Sequence, residues 1–206
     1  MKFILFIQNL IIGVSILLLG FMPLFSRLFG MDISTKGSLY ALSFAAVFAV
    51  MIIRPLADIT NWPSLRRLVI LRKSFGILSA SIIIGFMIDA LIVPQSPYLA
   101  SIFTPRYFSF DHFVFFAHMG DLSGLILLLT SNTFSQKLLK QNWKRIQRLS
   151  YVYFFSGGMY EAFALESTFA LYAMLLVINL TVLAWAVKAY RRGASGEFLP
   201  ARVPAL

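Results

Sequence analysis

A chain of 206 residues that is 59% hydrophobic and only 13% charged, with a mean hydropathy of +0.82, has more apolar surface than one soluble core can hide. Its net charge of +10 lies in short stretches between apolar runs, which is the pattern of membrane topology and points away from a nucleic-acid partner. The absence of cysteine excludes disulfides, thiolate metal sites and thiol nucleophiles.

The expected fold is an all-α integral membrane bundle with the lipid bilayer as its solvent, because backbone polar groups in hydrocarbon must be satisfied within helices. The first run, "MKFILFIQNLIIGVSILLLGFMPLF", outlasts the roughly 7 to 15 residues of a signal h-region and no small-x-small site follows it. It is expected to remain as the first span, near residues 4–25. A second, the shortest, is predicted near 38–53 and a third near 75–94. Between them, "ITNWPSLRRLVILRK" reads either as a short helix in the headgroup layer, marked by Trp62, or as a basic loop. Further spans are predicted near 109–131, 147–164 and 168–187, the last two joined by the short "ALES". The expected organisation is a six-span domain over residues 1–190 and an extended cytoplasmic tail over 191–206.

Placed on this frame, 15 of the 18 lysines and arginines fall on one side and only Arg27, Lys36 and Arg106 on the other. The positive-inside rule then puts both termini in the cytoplasm of a cell whose inner membrane holds the chain.

Ionisable residues within spans cost about 2.5–3.5 kcal/mol on insertion scales, so each is a candidate site. Asp89, His118, Asp121 and Glu161 qualify, all in the outer to middle layer, whereas His112 is expected near the aqueous boundary. His118 and Asp121 stand three apart and share a helix face, where a carboxylate can orient or charge an imidazole. Asp89, His118, Asp121 and Glu161 would suffice for a metal only if the third, fourth and fifth spans meet; the plainer expectation is interhelical hydrogen bonding or a small polar cavity. Gly120 with Gly124, and Gly157 with Gly158, are expected to let helices approach closely.

The succession of "IIRPLADITNWPSLRRLVILRK", "LILLLTSN" and "NWKRIQRLSYVYFFSGGMY" resembles the ferric-reductase-like transmembrane domain over about residues 37–165, most nearly the haem-binding membrane subunit of the bacterial methionine sulfoxide reductase system. The resemblance implies a six-helix bundle that holds haem b and moves electrons from a cytoplasmic flavin donor to a periplasmic partner. Its histidine positions fall here on Phe86, Gln147 and Tyr160. A b-type haem is commonly held by axial imidazoles. The expectation is therefore a haem-free member with no cofactor, acting as a non-catalytic accessory subunit bound to other integral membrane subunits. The alternatives are an electron carrier with haem b on His118 or Tyr160, and a small ion or metal transporter built on Asp89, His118 and Asp121.

Overall fold

The structure, a computed structural model, describes residues 2–30, 33–92, 104–105, 109–110 and 114–194. The regular structure among these residues is entirely helical: α1 (Lys2–Phe29), α2 (Ile33–Thr60), α3 (Pro63–Leu68), a 3-10 turn (Val69–Leu71) and α4 (Arg72–Ile92) come first. They are followed by α5 (Val114–Thr130), α6 (Thr133–Leu139), α7 (Gln141–Ile146), α8 (Leu149–Ala164) and α9 (Thr168–Ala194).

Four stretches, Phe3–Leu24, Thr35–Thr60, Pro63–Ile92 and Thr168–Gly193, are long and apolar enough to cross a membrane. The chain is accordingly a multi-pass helical membrane protein. A fifth candidate is α5 with α6, but the two are bent by 92° across Ser131 and Asn132. Helix α8 has 16 residues and rises roughly 24 Å, short of the ~30 Å hydrocarbon layer. By length and composition the described residues therefore offer four or five spans where six were expected.

The second span differs most from expectation, being 28 residues long where the sequence marked the shortest. The sequence places its end near residue 53, before Arg54 and Pro55, yet the helix runs through both to Thr60. Proline removes one N–H and clashes one turn back, a cost that membrane bundles offset by re-satisfying the freed carbonyls. Here Arg72 Nε donates to the Val50 carbonyl at 2.9 Å, beside the carbonyl of Met51 that Pro55 leaves without its helical donor. The helix stops at Asn61, whose φ of 54° lies in the left-handed region. Pro63 then opens α3 at a position where a missing N–H costs nothing, so "PSLRRL" within "ITNWPSLRRLVILRK" is helical, and it runs on through the 3-10 turn into the apolar stretch Pro63–Ile92.

Pairwise contacts set the helix directions. Ser43 faces Ser79 while Val50 faces Arg72, so α2 and α4 are antiparallel. Helices α5 and α8 are antiparallel too, since Gly120 lies against Gly157 and Gly124 against Tyr153. Helix α1 touches the turn before α4 and, through Met22, Gly85 well along it, as only a parallel pair can. The carboxyl end of α9 returns to that of α2, where Arg191 donates to the carbonyls of Asp58 and Ile59 at 3.0 and 2.9 Å. One end of the bundle thus gathers α3, α6, α7 and the basic end of α9. The core centres on Phe44, Phe154, Met174 and Val177 between α2, α8 and α9, with a second cluster around Met22 and Ile82 between α1 and α4.

Candidate functional site

Three helices bring one polar face each to a common point. On α2, Tyr40, Ser43, Phe44 and Val47 recur at helical spacing; on α5, Val114, Ala117, His118 and Asp121 do so; on α8, Tyr153, Gly157, Tyr160 and Glu161 complete the set. They line a cavity of about 260 Å³, with Ile83 of α4 on one side. The cavity lies toward the end of the bundle opposite the basic connections, because its residues stand early in α2 and α5 and late in α8.

Glycine makes this convergence possible. A methyl group at Gly124 would meet the Tyr153 ring at 2.9 Å, and one at Gly120 would rest 3.8 Å from the backbone of Gly157. Of the four glycines expected to permit close approach, Gly124 and Gly158 do so, whereas a methyl at Gly120 would make ordinary contact and one at Gly157 would meet open space, and the groove at Gly124 seats a particular ring. Hydroxyls then tie three helices: Ser43 Oγ donates to the Ser79 carbonyl at 3.1 Å and lies 2.9 Å from Ser79 Oγ, which is 2.8 Å from the Tyr153 hydroxyl. In an apolar bundle each such bond is held by the absence of competing water.

Within the cavity His118 Nδ1 lies 3.8 Å from Asp121 Oδ2, so the pair on one face of α5 forms as its spacing predicts. Both side chains are mostly buried. Glu161 and Tyr160 approach from α8, and Tyr40 from α2. Of the four ionisable residues singled out from sequence, His118, Asp121 and Glu161 line the cavity, and Asp89 does not. Among the described residues no three of His, Cys, Asp or Glu are grouped to hold one metal ion. His112 lies outside the described residues.

The positions that the resemblance assigns to haem ligands separate in space. Phe86 stacks on Tyr40 with ring centroids 4.4 Å apart and so stands behind the cavity wall. Gln147 sits in the turn between α7 and α8, its amide nitrogen 3.4 Å from the Thr130 hydroxyl that it donates to. Only Tyr160 faces the cavity, together with His118. This donor set does not fit a haem held by two imidazoles.

Sequence reasoning missed Tyr40, Ser43 and Tyr153. Their signal was a hydroxyl within an apolar span, weaker than a charge because a neutral hydroxyl costs less to bury and a serine can also bond its own helix.

Fold and site together define a helical multi-pass membrane protein with a polar, ring-lined cavity in its bundle. Comparison with protein-family models, curated proteins and solved structures finds no match for this chain.

Proposed function

We propose that this chain is a haem-free membrane protein of the ferric-reductase-like type, a non-catalytic accessory subunit of a larger inner-membrane complex. Six spans would leave both termini in the cytoplasm, with α8 as a short fifth span between α5 and α9. The observation that carries the reading is the use made of the family's ligand positions. Phe86 is spent on packing against Tyr40 and Gln147 on a helix-end contact with Thr130. Neither offers an axial ligand. The outward faces of α1 and α9, with Phe3, Phe6, Phe21, Tyr172 and Trp185 exposed, suit lipid and neighbouring membrane subunits.

The test is a visible spectrum of the detergent-purified protein with a gel of what accompanies it. The reading expects no Soret band and co-purification with other integral membrane proteins. Isolation as a lone haem-bearing monomer overturns it.

A second reading, a b-type electron carrier, is favoured by the presence of His118 and Tyr160 in one cavity on facing helices. Bound haem would supply the one-electron chemistry, while this chain's His118 and Tyr160 would have to hold it. Reduced-minus-oxidised spectra of the wild type and of His118→Ala decide it: the reading requires a haem band that is lost or displaced in the variant.

A further inference from the structure

The composition of the cavity walls is selective. Two carboxylates, Asp121 and Glu161, line it with one imidazole, and among the described residues that line it there is no lysine or arginine. A carboxylate within a span stays ionised only at the cost of several kcal/mol unless a positive charge or a proton meets it. His118, 3.8 Å from Asp121, can balance at most one of the two carboxylates, so the electrostatic preference of the chamber is for one further positive charge.

The remaining walls narrow the kind of cation. Four aromatic side chains, Tyr40, Phe44, Tyr153 and Tyr160, line the chamber, and an aromatic ring attracts a cation that reaches its face. Val47, Ile83, Val114 and Ala117 contribute aliphatic surface that coordinates nothing. A divalent ion needs several oxygen or nitrogen ligands around one point, and the described residues group no three of His, Cys, Asp or Glu in that way. Carboxylate, ring and aliphatic wall together match a charged nitrogen that carries carbon. At about 260 Å³ the chamber falls just below the roughly 300–1,000 Å³ of drug-sized pockets, which limits its occupant to a small molecule.

We propose that the cavity between α2, α4, α5 and α8 binds a small organic monocation, an alkylammonium whose head lies by Asp121 and Glu161 and whose carbons meet the tyrosine rings. The inference stands apart from the accessory-subunit reading, since a non-catalytic subunit or a transporter could equally carry such a site.

The experiment is calorimetric titration of the full chain in nanodiscs with propylammonium and tetramethylammonium. Their neutral counterparts 1-propanol and tert-butanol, and potassium and zinc ions, serve as comparisons. Saturable binding of at least one ammonium is expected, with the alcohols weaker by at least about tenfold. Asp121→Asn should weaken it by about 100-fold or more, the loss typical when one partner of a buried charge pair is removed. Tyr160→Leu should cost about tenfold, whereas Tyr160→Phe, which keeps the ring, should stay within about threefold of the wild type. Should Asp121→Asn fail to fold, the contrast between ammonium and alcohol on the wild-type protein decides alone. The proposal is overturned by alcohols that bind as well as ammonium, by potassium or zinc binding without ammonium binding, by no ammonium heat, or by a porphyrin found in the cavity.

Discussion

Two glycines show how narrowly the contacts of this bundle are set. Gly158 of α8 packs so closely on α9 that an added methyl would come within 2.7 Å of Met174 Sδ, and the corresponding distance from Gly124 to the Tyr153 ring is 2.9 Å. The two differ in what can yield. Met174 presents Sδ and Cγ of an unbranched side chain, which adapts by changing rotamer. Tyr153 is fully packed and its hydroxyl is held by Ser79, so its ring has nowhere to turn. Gly124→Ala is therefore expected to destabilise the protein by about 1–3 kcal/mol, the usual cost of overfilling a close-packed core. Gly158→Ala should cost less. Thermal unfolding in one detergent, followed by circular dichroism, checks the order, and a larger loss for Gly158→Ala would contradict it. The spacing of Gly120 and Gly124 announced a close helix contact, but which ring fills the groove depends on the register of α8.

The end of α5 is closed by a side chain from another element. The carbonyl of Thr130, at the end of α5, accepts a hydrogen bond from Trp143 Nε1 of α7 at 3.0 Å. Asn132 then starts α6 by accepting from the Ser135 N–H at 2.6 Å. Trp143→Phe keeps most of the ring and removes only the donor, so a loss of about 1 kcal/mol is expected. Its unfolding midpoint in detergent should fall slightly below that of the wild type, and an unchanged midpoint would show that water replaces the bond.

The 92° bend sends α6 across the direction of α5, with Phe134 and Leu138 at 73% and 69% exposure beside Lys137 and Lys140. Apolar side chains interleaved with lysines on a helix perpendicular to a span suit the boundary between headgroups and acyl chains. The chain has no cysteine, so a single probe is unambiguous. An environment-sensitive fluorophore on Phe134→Cys is expected to be quenched more by headgroup-level spin labels than by labels in mid-chain. The opposite order would place α6 in the hydrocarbon.

At the scale of the whole molecule the helix directions alternate, and the basic connections gather at one end while the cavity lies toward the other. With that basic end in the cytoplasm, Leu165→Cys, in the exposed turn before α9, should react with an impermeant maleimide on intact cells. Asn142→Cys, exposed on α7, should react only after lysis. The reverse pattern would invert the orientation, and reaction of both on intact cells would show that α8 does not cross.

The amino-acid order alone was enough for the helical membrane class, because no soluble core absorbs so much apolar surface and hydrocarbon admits few other backbones. It also marked His118, Asp121 and Glu161, since a charge in an apolar run stands out without any knowledge of its neighbours. The length of α2 was illegible, as Arg54 and Pro55 signal an ending that the helix does not take, running on to Thr60 with Arg72, eighteen positions beyond Arg54, bonded to the Val50 carbonyl. The tertiary structure alone decided that Tyr40, Tyr153 and Tyr160 share a chamber with those charges and that Asp89 lies outside its walls. Periodicity assigns a residue to a face of its own helix; which faces meet follows from how glycines, rings and buried hydroxyls let four helices pack.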